Sequence, residues 1–195
     1  MGIVLKNTKA TEMTDEEFRK FCSEHRDYRI ERDYDHNIIV EEPTFSYTGS
    51  FNSEINRQLS NWNYTYKLGY VFDSSAGFKL NNTAILSPDA SWIEKERWDN
   101  LTEKEKRSYA PMCPDFVIEL KSESDTMKEL QSKMRQWMNN GCQLGWLIIL
   151  EEEKVFIYNQ SKEIKIIEGF SNKKLPGENI LKDFELDLNE LKLEE

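Results

Sequence analysis

The sequence predicts an α/β (α+β) fold, a single domain in which a β-sheet is covered by helices on both sides. Its length of 195 residues is close to the usual size of one domain and allows one compact core. Segments with helical spacing and segments with strand character follow one another along the chain. Residues 144–150 are apolar on both faces, as expected for a central strand buried between helices.

Composition indicates a folded protein that is not embedded in a membrane. Aromatic residues make up 12% of the chain, far more than a disordered protein carries. The three cysteines are widely spaced and no histidine is placed to complete a zinc motif, so we expect reduced thiols and a cytoplasmic location. The longest apolar run, residues 146–150, is too short to cross a bilayer, and residues 1–10 lack the apolar core of a signal peptide.

The net charge of −10 argues against a basic nucleic-acid-binding surface. Its distribution weakens that argument. The flanking segments 1–50 and 151–195 carry −4 and −5, whereas residues 51–113 carry 0 and residues 114–150 carry −1. The segments that hold the motifs described below are therefore nearly neutral.

The first predicted elements, a helix and a hairpin, form an N-terminal unit at residues 12–43. Thr14 and Glu17 match the capping box, in which each side chain accepts a hydrogen bond from the backbone of the other, and begin a helix of about twelve residues. Residues 28–32 and 37–41 flank a polar, turn-forming tetrapeptide, which indicates a β-hairpin.

The predicted core spans residues 49–168, and the tail at 169–195 is predicted to be peripheral. Its first helix, residues 49–67, has apolar residues at steps of three and four, and its second, residues 125–139, is capped by Gly141. Residues 94–112 predict an exposed helical excursion. Strands are predicted at residues 70–72, 78–80, 90–93, 116–121, 144–150, 155–158 and 164–167.

The segment 114–121 contains the most informative motif. Side chains alternate between the two faces of a strand, so Glu119 and Lys121 share the face opposite Ile118 and Leu120. A carboxylate that holds a divalent cation and a lysine that orients or deprotonates water suit phosphodiester hydrolysis. An isolated Glu-x-Lys pair is weak support, since any amphipathic strand can carry both residues on a solvated face.

A metal site needs further oxygen ligands, and Asp89 and Asp115 are the two candidates. Asp115 precedes Glu119 by four residues on one strand, roughly 13 Å at about 3.3 Å per residue, which is too far for a shared cation. Asp89 begins another predicted strand and has no such restriction. We therefore favour Asp89 and interpret Asp115 as a turn or strand-entry residue.

Glu54, on the predicted helix 49–67, is a candidate for a further ligand. It precedes Ile55, one of the inward-facing residues, and so is placed to reach over the sheet. The alternative is a surface glutamate that the dipole of the helix stabilises.

These motifs, in this order, resemble those of the Uma family, which belongs to the restriction-endonuclease-like PD-(D/E)XK superfamily. The resemblance covers roughly residues 12–170, and the ordered set is more specific than any of its parts. It is carried by residues 51–56 on a helix, Gly69 with Phe72, and the segments 77–80, 87–90 and 114–125, then Leu130, Lys133, Gly141 and Trp146.

The resemblance implies a central mixed sheet flanked by helices, a Mg²⁺-dependent DNA-cleaving site in which Mn²⁺ can substitute, and a homodimer. Asp89 and Glu119 would be metal carboxylates, Lys121 the catalytic lysine and Glu54 the acidic residue of the first core helix. Gln131 and Lys133 would be accessory or phosphate-contacting residues. The acidic composition is the departure from this pattern, because no basic groove for duplex DNA is evident.

Two further functions remain as alternatives. In the first, the fold persists as a catalytically silent binding or oligomerisation module, which metal-binding and nuclease measurements would reveal. In the second, a cysteine or serine nucleophile carries the reaction. It has little support because no histidine lies near a cysteine or a G-x-S-x-G elbow in the sequence.

Overall fold

The computed structural model describes residues 3–5, 13–41, 43–161 and 163–192. Five α-helices occur within these residues: α1 (Asp15–Glu24), α2 (Ser46–Tyr66), α3 (Lys95–Asp99), α4 (Glu103–Lys106) and α5 (Met127–Asn139). The strands are β1 (Ile3–Leu5), β2 (Arg29–Arg32), β3 (Ile38–Glu41), β4 (Gly69–Asp73), β5 (Phe78–Lys79), β6 (Ile85–Leu86), β7 (Ala90–Glu94), β8 (Phe116–Leu120), β9 (Leu144–Ile149), β10 (Lys154–Asn159), β11 (Lys165–Glu168), β12 (Lys174–Pro176) and β13 (Glu185–Asp187). A 3₁₀ helix follows at Leu188–Leu191.

The central sheet is mixed and has six strands in the order β11-β10-β9-β8-β7-β4. Its middle strands β8 and β9 are parallel, and every other pair in it is antiparallel. The α5 crossover between β8 and β9 makes the parallel pair possible, because strands joined by a short turn can only be antiparallel. The predicted fold class and the central position of residues 144–150 are confirmed.

Helices α2 and α5 cover opposite faces of this sheet. Ile55 and Leu59 of α2 pack in one buried cluster with Ile118 of β8. On the other face, Met134 and Trp137 of α5 pack with Val117 and Leu147, among others. Because Glu119 follows Ile118 on β8, the alternation of the strand turns its side chain towards α5.

The predicted hairpin is confirmed, but it does not form a separate N-terminal unit. Strands β2 and β3 belong to a five-stranded antiparallel sheet of order β1-β3-β2-β6-β5, in which Arg32 of β2 pairs with Ile85 of β6. Helix α1 packs there through Phe18, against Ile38 and Ile85. Its capping box is present, with Thr14 N donating to Glu17 Oε2 at 2.8 Å. The predicted unit 12–43 begins at a residue outside those described.

The C-terminal segment is not peripheral, which corrects the prediction for residues 169–195. Phe170 and the leucines that recur between residues 175 and 191 are buried in the same cluster as α2 and β9. Trp62 Nε1 donates to Lys182 O at 2.8 Å and fixes this segment against α2. These leucines stand at irregular intervals among many Lys and Glu residues, so the sequence pattern did not indicate their burial. Residues 193–195 lie outside the described part of the tail.

The segment 94–112 contains two short helices, α3 and α4, in place of one helical excursion. Thr102 forms a capping box with Glu105 at the start of α4. None of the helices in the described ranges combines the length and the hydrophobicity that crossing a membrane requires.

Candidate active site

Asp89 and Glu119 come from neighbouring antiparallel strands. Asp89 precedes β7, and its backbone N–H donates to Ile118 O at 3.1 Å. Its Oδ2 accepts from the backbone N–H of Leu120 at 2.8 Å, directly after Glu119. Both acidic residues line one cavity of about 660 Å³. The β7–β8 pairing thus places Asp89 beside Glu119, as the distance argument required.

The Glu119 carboxylate is almost completely buried and is held from α5. Its Oε1 accepts from Trp137 Nε1 at 2.8 Å, and its Oε2 lies 3.2 Å from Lys133 Nζ. Burial raises the pKa of Glu119 to about 8; the Lys133 ammonium opposes this shift and the negative charge of Asp89 adds to it.

Lys133 projects from α5 into the same cavity. Its Nζ donates to Glu31 Oε1 at 3.0 Å and to Ser87 O at 2.9 Å, in addition to its contact with Glu119. Burial favours the neutral amine, but the Glu119 and Glu31 carboxylates outweigh it and raise the pKa of Lys133 above its ordinary value. The ammonium therefore stays charged, with its donors directed at the carboxylates.

The N-terminal hairpin supplies part of the site. Arg29 Nη1 donates to Asp89 Oδ1 at 3.0 Å, and Arg29 Nε lies 3.2 Å from Glu41 Oε2. Glu31 Oε1 accepts from Ser87 N at 2.9 Å as well as from Lys133. The sequence alone did not identify Arg29, Glu31 or Glu41 as site residues. The available signal was Arg29 and Glu31 at alternate positions of a predicted strand, which places two charges on one face.

The cluster has more acidic than basic groups. Four carboxylates, those of Glu31, Glu41, Asp89 and Glu119, surround Arg29 and Lys133, so the cluster carries −2 when every group is ionised. Burial, with the charge of Glu31, also raises the pKa of Glu41. A divalent cation would offset this excess.

Within the described residues, no group of three His, Cys, Asp or Glu side chains is arranged to hold a metal ion. Asp89 and Glu119 are the residues that could hold a magnesium ion, because Mg²⁺ in proteins is usually held by one or two carboxylates, with waters and substrate phosphates completing its shell.

Lys121 lies just beyond the end of β8. Its backbone N–H donates to Ile148 O at 2.9 Å, and its Nζ donates to Ser122 O at 3.1 Å. The neighbours Leu120 and Ser122 line the cavity, whereas Lys121 does not. Strand β8 ends at Leu120, so the alternation of side chains that predicted Lys121 on the same face as Glu119 does not extend to Lys121.

Glu54 and Gln131 are also outside the cavity lining. Glu54 Oε2 accepts from Arg57 Nε at 2.7 Å, and its Oε1 accepts from Gln58 Nε2 at 2.9 Å, on its own helix. The structure therefore does not bring Glu54 to the two carboxylates. Of the two accessory candidates on α5, Gln131 and Lys133, only Lys133 lines the cavity with Asp89 and Glu119.

Asp115 occupies the opposite end of β8. Its buried carboxylate is paired with Arg97, accepts from Gln143 Nε2 at 2.6 Å and accepts from Glu94 N at 2.9 Å. These three partners tie β7, β8 and the start of β9 together. Its contacts are those of a strand-entry residue that holds the sheet.

Comparisons with known proteins agree with this architecture. The model of a family described as "Uma2: Putative restriction endonuclease" matches residues 15–189. A crystal structure of a "putative nuclease belonging to DUF820" from Anabaena variabilis ATCC 29413 superposes with a TM-score of 0.72 and 19% sequence identity. The match covers 92% of this chain and 97% of that one. No curated protein matches the chain significantly.

Proposed function

Because this chain belongs to the Uma2 restriction endonuclease family, we propose that it is a metal-dependent nuclease that hydrolyses phosphodiester bonds of DNA. One observation carries the proposal: the Asp89 and Glu119 carboxylates line one cavity, with the Lys133 ammonium 3.2 Å from Glu119. Two carboxylates and a lysine on adjacent elements suit the hydrolysis of a phosphodiester.

Asp89 and Glu119 would hold Mg²⁺, or Mn²⁺ in its place. Such an ion would polarise the scissile phosphate and lower the pKa of a water molecule. The carboxylates are fixed in advance, because Leu120 N and Arg29 bind Asp89 while Trp137 binds Glu119. This anchoring limits the reorganisation needed when substrate binds.

We assign to Lys133 the role that the sequence pattern gave to Lys121. Its ammonium reaches the cavity from α5, where its three donors face Glu119, Glu31 and Ser87 O. It would orient the attacking water or stabilise negative charge on a phosphate oxygen by exchanging one of these acceptors for the substrate. A lysine whose pKa is raised stays protonated, and it therefore acts as a hydrogen-bond donor and not as the base. Lys121, turned to Ser122 O, has no contact of this kind.

The experiment is a cleavage assay with labelled DNA in Mg²⁺, Mn²⁺ or EDTA, with calorimetry of Mn²⁺ binding alongside. We expect cleavage that depends on metal, and loss of both cleavage and metal binding in Asp89→Asn. If the wild-type protein neither bound metal nor cut any substrate, the nuclease would be rejected in favour of a binding or oligomerisation module.

We also propose that the protein acts as a homodimer, since two-fold symmetric dimers are the commonest assemblies of soluble proteins. Light scattering during gel filtration tests this state. A monomer at all concentrations would contradict it and leave the chemistry of the site unaffected.

A further inference from the structure

The cavity that holds Asp89 and Glu119 has a strongly acidic lining. Among the described residues, eight acidic side chains line it and only two basic ones, Arg29 and Lys133. The acidic residues are Glu31, Asp33, Asp35, Glu41, Asp89, Glu119, Asp125 and Glu129. Both cations are already paired with carboxylates. Duplex binding draws its affinity from lysines and arginines on many phosphates, so this lining gives a duplex little to bind.

Two aromatic side chains at the same cavity are exposed to solvent. Tyr34, in the turn between β2 and β3, is 52% exposed, and Phe45, just before α2, is 65% exposed. A phenylalanine ring that is 65% exposed lacks most of the burial that usually stabilises this side chain. Proteins that bind single strands combine contacts to the phosphates with aromatic rings on which the bases stack, and stacking contributes about 1–3 kcal/mol per base. An exposed ring at this cavity can supply the stacking part of such binding.

Two amide side chains in the lining each carry a buried carbonyl oxygen. Asn52 of α2 and Gln136 of α5 reach the cavity from the two faces of the sheet. Neither side-chain carbonyl oxygen has a hydrogen-bond partner within the described residues. Amides recognise the donor and acceptor edges of bases, which are accessible only when a base is unpaired.

We propose that this cavity binds an unpaired nucleotide, so that the substrate is single-stranded nucleic acid or the unpaired part of a branched one; this inference rests on the proposed function. Tyr34 and Phe45 stack on bases beside the carboxylates, and the amides contact a base edge. The volume of about 660 Å³ lies within the range of about 300–1,000 Å³ that is usual for small-ligand pockets. A duplex, whose bases are already stacked and paired, cannot use these contacts.

The test measures binding by fluorescence anisotropy, with Ca²⁺ in place of Mg²⁺ to limit cleavage. The probes are labelled single-stranded DNA, single-stranded RNA, duplex DNA and a flapped duplex of matched length. We expect tighter binding of the single strands and of the flap than of the duplex. Phe45→Ala and Tyr34→Ala should each weaken single-strand binding by about 5-fold to 150-fold, the usual effect of losing one stacked base.

Tyr64→Ala is the matched control, because Tyr64 is 79% exposed on α2 and does not line the cavity. It should bind like the wild type. A single strand with 2-aminopurine gives a second readout, since stacking on Phe45 quenches its fluorescence and Phe45→Ala should restore it. All three substituted side chains are exposed, so folding should be unaffected, and thermal unfolding checks this.

Duplex binding as tight as single-strand binding, or wild-type affinity in both Phe45→Ala and Tyr34→Ala, would overturn the inference. The same measurements distinguish failure of this inference from failure of the proposed nuclease function. If the wild type cuts duplex but not single strands, the nuclease stands and the inference fails. If it binds single strands through Phe45 but cuts nothing in Mg²⁺ or Mn²⁺, the inference stands and the nuclease fails.

Discussion

The ammonium of Lys133 lies 3.2 Å from a carboxylate oxygen of Glu119, on an element that does not contain the Glu-x-Lys motif. The lysine of the site and its glutamate therefore come from a helix and a strand that face each other across one layer of the core.

Comparing two lysine variants tests which lysine acts. Lys133→Gln should reduce the rate of cleavage by about 10²-fold to 10³-fold, as expected for the loss of one donor that stabilises the transition state. Lys121→Ala should retain nearly full activity, because its ammonium donates to Ser122 O and Lys121 does not line the cavity. Steady-state kinetics measure both. Lys128→Ala, an exposed lysine of the same helix, is the control, and loss of cleavage in Lys121→Ala alone would return the role to Lys121.

Glu31 should act as a positioning residue that holds Lys133 and the backbone before Asp89. It is 1% exposed and accepts from Lys133 Nζ and Ser87 N. Glu31→Ala leaves the backbone N–H of Ser87 without its acceptor and removes one of the acceptors of Lys133, so it should lower the free energy of unfolding by about 1–3 kcal/mol. Denaturant unfolding measures it, with exposed Glu16→Ala as the control.

Glu31→Gln separates positioning from stability. The amide keeps one acceptor oxygen, so the variant should fold, but it holds the ammonium less firmly and should lower kcat more than it changes KM. Unchanged kcat in a folded Glu31→Gln protein would show that Glu31 serves stability alone.

The metal-free protein should become less stable as pH rises from about 5 to 8. Glu119 has a pKa raised to about 8 in the folded state, whereas a glutamate in the unfolded chain has its ordinary pKa of about 4.5. Between these values the folded state holds a proton that the unfolded state has lost, so each rise in pH favours unfolding, by a few kcal/mol at most over the whole window. Denaturant unfolding in EDTA across this range measures the slope.

Glu119→Gln cannot titrate at this position and serves as the reference for the pH series. Its free energy of unfolding should change less between pH 5 and 8 than that of the wild type. Parallel pH profiles for the two proteins would mean that Glu119 is ionised throughout, as its contact with Lys133 would favour.

Replacement of aspartate by asparagine should affect metal binding at Asp89 and stability at Asp115. Asp115→Asn weakens the contacts of this buried carboxylate with the partly exposed Arg97 and should lower the free energy of unfolding by about 1–3 kcal/mol, with Mn²⁺ affinity unchanged. Asp89→Asn should abolish Mn²⁺ binding. Calorimetry and denaturant unfolding on both variants compare them, and loss of metal binding in folded Asp115→Asn would reverse the assignment.

The C-terminal segment should contribute to the stability of the core. Leu186 of β13 is fully buried, so Leu186→Ala should lower the free energy of unfolding by about 2–5 kcal/mol. Ile164, which is 47% exposed, is a matched control whose replacement by alanine should cost less than about 0.5 kcal/mol. Equal losses in the two variants would show that the segment packs only loosely.

The central sheet was predictable because its residues have local signatures. The apolar run at 144–150 and the alternation at 116–120 fixed the two middle strands, and capping residues fixed the start of α1. The strand predicted at residues 78–80 corresponds to β5, but its two-residue partner β6 was not predicted, because so short a stretch has no period to detect. Both strands pair within a sheet made from distant segments. The buried leucines of the tail are spaced too irregularly among charges to show periodicity.

The candidate site was predictable where strand geometry decided it. The separation of Asp115 from Glu119 along one strand favoured Asp89, and the β7–β8 pairing brings Asp89 there. Arg29, Glu31 and Lys133 reach the site from other elements. Their proximity depends on how a second sheet and a helix pack on the first, which no local pattern encodes.

The contact between Arg29 and Asp89 joins the hairpin sheet to the central sheet through charge. A fragment beginning at residue 49 would keep Asp89, Glu119 and Lys133 but would lose Arg29, which pairs with Asp89, and Glu31, which pairs with Lys133. The hairpin and the core should therefore depend on each other. Related proteins in which Arg29 or Glu31 is replaced should carry compensating changes at positions 89 or 133. The hairpin of one distant relative should not be exchangeable for that of another.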